Sequence, residues 1–129
     1  MSGLLLDSQV AMWLVDDNPR LAAGARHRIV NDDVVFVSAA TIWELTINFM
    51  LGKLDLPLEF EGLLSDQGVT LLPITAQHAA AIAQFPELLR HDPFDRLLIA
   101  QAKLERLDLL TADRVLLDGG YGFVVDATS

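Results

Sequence analysis

The chain of 129 residues contains no cysteine. This absence excludes a disulfide scaffold and a thiolate metal site, so we expect an intracellular protein. Basic residues are also few, with 9 Lys and Arg against 18 Asp and Glu, a formal net charge of −9. A protein that binds nucleic acid mainly by neutralising phosphates needs the opposite balance. The charge therefore argues against broad, non-specific coating of DNA, but it permits a small site at which metal ions meet a phosphate.

Long apolar runs are missing as well. The longest run near the start, residues 4–15, is interrupted by Asp7, is too short to span a bilayer and has no basic residue before it. We therefore expect no membrane association and a cytoplasmic location. Hydrophobic residues nevertheless make up 52% of the chain, and the mean hydropathy is +0.37. This content suffices for a core and suggests that a partner covers part of the surface.

Short apolar runs alternate with helical patterns along the whole chain. Strands are predicted over residues 3–6, 34–37, 69–72, 107–110 and 123–125. Helices are predicted over residues 8–14, 18–30, 39–51, 58–67, 75–85, 93–107 and 113–117. This alternation predicts one α/β domain over residues 1–129, with a mainly parallel five-stranded sheet flanked by helices.

Acidic residues stand where such a fold binds ligands, which is beyond the carboxyl ends of its strands. Asp7 directly follows the first predicted strand, and Asp113 follows the fourth. Asp95 lies at the start of a long predicted helix, and Glu44 lies within the helix after the second strand. We therefore take these four residues as the candidate site, with His91 at its rim.

Glu44 is the hardest of the four to explain as a surface residue. Its neighbours at helical spacing are Ala40, Ile47 and Leu51, all apolar, and no Lys or Arg occurs between residues 28 and 53. An unpaired carboxylate on a core-facing stripe costs several kcal/mol unless it is neutralised. A bound cation is the usual solution.

The other three acids also have structural explanations. Asp7 could cap the helix that follows it, and Asp113 could lie in a first helical turn capped by Thr111. Asp95 could complete a capping box that begins at Asp92. Only the set of four together indicates a site.

Four carboxylates in one pocket repel one another unless a divalent cation lies between them. Oxygen ligands without cysteine favour Mg²⁺ or Mn²⁺ over zinc, and such a site indicates phosphoryl chemistry on nucleotides or nucleic acids. Ser8, Ser38 and Thr111 could orient the carboxylates or hydrogen-bond to water molecules bound to the metal, although capping of the adjacent helices explains them equally well.

Five segments occur in the order seen in PIN-domain proteins. They are Leu-Leu-Leu-Asp-Ser, Phe-Val-Ser-Ala-Ala-Thr-Ile-Trp-Glu-Leu, Leu-Gly-Lys-Leu, His-Asp-Pro-Phe-Asp-Arg-Leu-Leu-Ile-Ala-Gln-Ala and Leu-Leu-Thr-Ala-Asp. The chain resembles this family over nearly its whole length. More narrowly, it resembles the VapC-type toxins of bacterial type II toxin–antitoxin pairs.

The resemblance implies a Mg²⁺- or Mn²⁺-dependent endoribonuclease whose metal-binding acids are the four residues chosen above. It also implies an RNA substrate, a homodimer and a cognate antitoxin whose C-terminal segment blocks the acidic pocket. The sequence departs from the family pattern at Gln9, Asn48 and Met50, where histidine or basic residues are frequent. These departures reduce the positive charge expected near the pocket.

Two other functions remain open at this stage. The acidic pocket could dock a basic peptide in a binding module without catalytic activity, or the same scaffold could cleave DNA. Cleavage of RNA that a chelator stops would exclude the first, and parallel assays on RNA and single-stranded DNA would decide the second.

Overall fold

The computed structural model describes residues 2–129, and within them the sheet has five strands. The strands are β1 (Gly3–Leu6), β2 (Val34–Ser38), β3 (Thr70–Leu72), β4 (Asp108–Thr111) and β5 (Val124–Asp126). Each begins within one residue of its predicted start. All neighbouring strands pair in parallel, in the order β3-β2-β1-β4-β5. The predicted α/β class and five-stranded parallel sheet are therefore confirmed.

Helices connect these strands and cover both faces of the sheet. They are α1 (Ser8–Asp16), α2 (Ala23–Asn31), α3 (Ala39–Met50), α4 (Phe60–Asp66), α5 (Ala76–Ala81), α6 (Pro93–Glu105) and α7 (Arg114–Leu117). Two short 3₁₀ turns, Ile82–Gln84 and Pro86–Leu88, follow α5. In the described part of the chain, no helix has the length and apolar character needed to cross a membrane.

The central strand β1 joins two apolar cores because successive side chains of a strand point to opposite faces. Leu4 and Leu6 pack in the core on one side of the sheet, and Leu5 packs in the core on the other. All three side chains are fully buried. This explains why β1 appears in the sequence as a continuous apolar run rather than an alternating one.

Strand β1 is the point at which the chain switches from one side of the sheet to the other. Strands β2 and β3 extend the sheet on one side of β1, whereas β4 and β5 extend it on the other. Leu6 therefore pairs with Leu110, and the backbone N–H of Asp7 donates to the carbonyl of Leu110 at 3.1 Å. Residues just beyond β1 and β4 meet at this switch point, which is where doubly wound folds bind ligands.

The predicted start of the second helix at residue 18 is wrong, because α2 begins at Ala23. The Asn18 side chain accepts a hydrogen bond from the backbone N–H of Arg20 at 2.9 Å. The Arg26 guanidinium donates to the Asn18 carbonyl at 2.6 Å. The Asn-Pro pair thus forms a local turn before the helix, an alternative that short polar side chains offer at a helix start.

The predicted stop of α3 at Gly52 is confirmed. Gly52 has a φ of +74°, and its N–H donates to the carbonyl of Phe49 at 3.0 Å. Such a left-handed residue after a helix is costly for any side chain with a Cβ. The turn directs the chain into residues 53–59, which lead to α4.

We expect Gly52→Ala to destabilise the fold by about 1 kcal/mol because alanine resists this φ. Gly62→Ala within α4 is the matched control: its new Cβ would lie 3.9 Å from the Cβ of Glu59, an ordinary contact. This control should be neutral or stabilising by about 0.5–1 kcal/mol, since glycine weakens a helix. Urea unfolding of both variants measures the difference, and equal effects would contradict the strain at Gly52.

Candidate active site

The four predicted acids converge on one cleft at the carboxyl edge of the sheet, although they lie up to 106 positions apart in the sequence. The cleft has a volume of about 250 Å³. Its lining residues are Asp7, Ser8, Gln9, Glu44, Asp95 and Asp113. The structure therefore brings together all four acids that the sequence pointed to.

Asp7 both caps helix α1 and lines the cleft. One carboxylate oxygen accepts from the backbone N–H of Val10 at 2.8 Å and so caps α1. The other oxygen accepts from the hydroxyl of Thr111. The side chain is only 5% exposed, and this burial raises the pKa of Asp7 to about 6, although both hydrogen bonds act in the opposite direction.

Asp113 likewise caps a helix, α7, by accepting from the backbone N–H of Val115 at 2.8 Å. Its second oxygen lies 3.2 Å from Nε2 of His91. The Thr111 hydroxyl accepts from the backbone N–H of Asp113 at 3.0 Å while donating to Asp7. Thr111 thus holds the two acids that follow β1 and β4 in fixed positions.

Asp95 does not form the capping box that was considered for it. Asp92 caps α6 alone, accepting from the backbone N–H groups of Phe94 and Asp95 at 2.8 and 3.2 Å. The Asp95 carboxylate instead lies 3.3 Å from His91 Nε2. Burial, followed by the nearby charge of Asp92 and contact with Asp113, raises the pKa of Asp95 to about 8.

Glu44 reaches the cleft from the apolar side of α3. Ser8 donates its hydroxyl hydrogen bond to Glu44 and also lies 3.2 Å from the Thr41 hydroxyl. Burial raises the pKa of Glu44; the Ser8 hydrogen bond opposes this effect, and the charge of Asp92 adds to it. Ser8 therefore orients a carboxylate, as considered from the sequence, whereas the contact with Thr41 was not predicted.

Ser38 caps helix α3, which was the structural alternative considered from the sequence. It is fully buried, and its hydroxyl accepts from the backbone N–H of Ala40 at 3.0 Å, which caps α3. Across residues 2–129, Ser38 makes no hydrogen bond to any of the four acids. The expectation that it orients a carboxylate is not supported.

His91 is the residue whose role the sequence reasoning underestimated. Its Nε2 lies within 3.3 Å of both Asp95 and Asp113, and one ligand atom of each of the three residues lies within 4.8 Å of the others. The available signal was its position four residues before Asp95, just ahead of the start of α6. Histidine contributes a nitrogen ligand or a proton donor to an otherwise all-oxygen site.

Basic side chains do not neutralise this cleft. In the described part of the chain, no Lys or Arg lies within 4 Å of the four carboxylates; Arg26, Arg28 and Arg114 pair with other acids. Buried carboxylates with raised pKa values and mostly oxygen donors fit a hard divalent cation. The residues present are therefore chemically suited to Mg²⁺ or Mn²⁺.

A family model described as PIN domain matches residues 4–119, a range that includes all four acids. The chain belongs to the PIN-domain family. Ribonuclease VapC22 of Mycobacterium tuberculosis is 31% identical over 118 residues, which are 90% of this chain and 91% of that protein. The predicted resemblance to the PIN-domain family, and within it to VapC-type proteins, is thus confirmed.

Solved structures show the same PIN-domain fold at low sequence identity. VapBC2 from Rickettsia felis, bound to a DNA fragment from its promoter, matches with a TM-score of 0.71 and 12% identity, covering 96% of this chain and 98% of that chain. DNA-bound VapBC from Salmonella typhimurium matches with a TM-score of 0.67 and 19% identity, covering 98% and 99%. At these identities the likeness concerns the fold.

The raised pKa values predict how stability depends on pH without metal. The folded protein retains a proton on Asp7 from pH 4 to about 6, and on Asp95 from pH 4 to about 8. The unfolded chain has released both protons over these ranges, because both folded pKa values lie above the ordinary 3.8. In EDTA, the free energy of unfolding should therefore fall as the pH rises through this range. Asp95→Asn removes one source of the effect and should make the protein more stable than wild type at pH 8, with no gain at pH 4.

Thermal unfolding in EDTA from pH 4 to pH 8 measures this difference. Asp66→Asn, at the exposed end of α4, is the matched control and should show no pH-dependent gain. An Asp95→Asn protein that is less stable than wild type at pH 8 would contradict the raised pKa.

Proposed function

We propose that this PIN-domain protein is a metal-dependent endoribonuclease and acts as the toxin of a toxin–antitoxin pair. The observation that carries the proposal is the cleft of four carboxylates without a basic partner at the switch point of the sheet. The 31% sequence identity between this chain and Ribonuclease VapC22 supports RNA as the substrate. The reaction proposed is hydrolysis of RNA phosphodiester bonds.

Asp7, Glu44, Asp95 and Asp113 are the residues that would hold Mg²⁺ or Mn²⁺ in this site. When bound, the ion supplies positive charge at the phosphate and lowers the pKa of a bound water. Thr111 and Ser8 fix Asp7 and Glu44 through their hydroxyls, so the ligand oxygens are oriented before substrate arrives.

His91 holds Asp95 and Asp113 at a short, fixed separation because its Nε2 contacts both. An Nε2–H group here can donate to either carboxylate, or to a phosphate oxygen that enters the cleft. The cleft is open to solvent on this side, since the His91 side chain is one-fifth exposed. We assign His91 to positioning of the acid pair.

We further propose that an antitoxin covers part of this surface, that the protein forms a homodimer and that it acts in the cytoplasm. The structural neighbours from Rickettsia felis and Salmonella typhimurium are VapBC complexes, which supports an antitoxin as a partner. Large apolar side chains of α3 are exposed, among them Trp43 at 59% and Met50 at 78%. A groove of about 530 Å³ between α3 and residues 56–62 adds apolar surface that a partner could bury.

Asp95→Asn should abolish RNA cleavage because it removes one carboxylate from the ligand set. The loss should exceed 100-fold for the purified protein in Mg²⁺ or Mn²⁺, and expression of this variant should no longer arrest growth. Fluorescent RNA cleavage assays with and without EDTA measure the effect. Asp66→Asn is the control and should cleave at the wild-type rate.

A folded Asp95→Asn protein with full metal-dependent cleavage would refute the proposed site. Chelator-resistant cleavage by wild type would refute metal dependence, and equal cleavage of single-stranded DNA would favour the DNA nuclease. Absence of any cleavage, together with binding of a basic peptide in the cleft, would favour the binding module.

Mn²⁺ should raise the melting temperature of the wild-type protein because it binds the folded state and relieves repulsion among the acids. At a concentration 100 times the dissociation constant, the expected stabilisation is about 2.7 kcal/mol. Glu44→Gln should reduce this gain, whereas Asp66→Asn should retain it. Thermal unfolding over a Mn²⁺ titration measures the gain, and an undiminished response in Glu44→Gln would show that Glu44 is not a ligand.

A further inference from the structure

A second pocket adjoins the acidic cleft, and the proposed function leaves it without a role. Its volume is about 340 Å³, which lies within the usual range of about 300–1,000 Å³ for small-ligand sites. Ser8, Gln9 and Glu44 line both this pocket and the cleft, so the two cavities are direct neighbours. A ligand in the second pocket would lie beside a cation or phosphate bound in the acidic cleft.

Two facing helices build the walls of this pocket. Gln9, Met12 and Asp16 line it from α1, at positions i, i+3 and i+7 of one helical face. Glu44 and Asn48 line it from α3, four residues apart and therefore on one face of that helix. Asn18, in the turn after α1, also lines the pocket, which thus combines three side-chain amides with two carboxylates.

Two of these amides are available to a ligand, whereas the Asn18 side chain already accepts from the backbone N–H of Arg20. In the part of the chain that the structure describes, neither the Gln9 side chain nor the Asn48 side chain makes a hydrogen bond. Met12 and Leu54 add half-buried apolar surface against which a flat ring can pack. Because no Lys or Arg lines the pocket, it has no group suited to a phosphate.

We propose that this pocket binds a nucleobase of the RNA next to the cleaved phosphodiester and selects bases that carry an exocyclic amino group. The inference rests on the proposed function, since it identifies which part of the RNA lies beside the acidic cleft. Asn and Gln read base edges through paired donors and acceptors, and Asp accepts from exocyclic amines. Uracil has no exocyclic amino group to donate to the Asp16 carboxylate, so it should be disfavoured.

Sequencing of the ends produced from a randomised RNA pool tests this selection. Wild type should show one position beside the cut at which adenine, cytosine or guanine exceeds uracil by about tenfold or more. Asn48→Leu should reduce this ratio towards one, and Asp16→Asn should raise cutting at sites with uracil. Gln77→Leu, an exposed amide on α5 outside the pocket, should keep the wild-type pattern.

Binding of free nucleosides provides a readout that needs neither metal nor cleavage. In EDTA, cytidine should shift the side-chain amide NMR signals of Gln9 and Asn48 in the Asp95→Asn protein, and uridine should shift them at least several-fold less. The Gln77 amide signal should not move. These signals also verify that each variant is folded.

The outcomes separate this inference from the proposed function. If wild type cleaves no RNA but cytidine still shifts the two amides selectively, the proposed function fails and the base pocket stands. If RNA is cleaved with a base preference that neither variant alters, or cytidine and uridine shift the signals equally, the base pocket is refuted. If Asn48→Leu and Asp16→Asn keep the wild-type cleavage pattern but lose binding of a basic peptide, the pocket is a peptide site and the base pocket is refuted.

Discussion

The crowding of four buried or partly buried carboxylates in one cleft is the constraint on which this site depends. Four acids occupy a cleft of about 250 Å³, and burial raises the pKa values of Asp7, Glu44 and Asp95. The fold tolerates this cost because two of the acids, Asp7 and Asp113, follow strongly buried strands: the side chains of Leu6 and Thr111, the last residues of β1 and β4, are fully buried. A rigid apolar core therefore holds charges together that would separate in a flexible chain.

Helix capping and metal binding are compatible roles for the same carboxylate. Asp7 and Asp113 each use one oxygen to cap a helix, and the second oxygen contacts another side chain at the cleft. Capping fixes the carboxylate orientation, so the structural role prepares the functional one. For these two residues, helix capping is therefore no argument against the proposed metal-binding role.

The neighbouring cavities differ in chemistry in a way that suits different parts of one nucleotide. The acidic cleft offers oxygen ligands for a cation beside a phosphate, whereas the adjoining pocket offers amides and apolar surface. Gln9 and Asn48, two departures from the family pattern, both line the second pocket. At these positions the chain therefore carries neutral amides, which suit the proposed contacts to a base rather than to a phosphate.

The sequence by itself determined the strands, the parallel α/β class and the four acids, because these depend on local apolar runs and on the residues that follow them. Local pattern failed at Asn18, where a turn competes with helix initiation through similar hydrogen bonds. Only the tertiary structure decided the strand order, the contact of His91 with two acids and the placement of Gln9 and Asn48 in the lining of one pocket. These features depend on how distant segments pack against each other, and no short-range periodicity encodes that packing.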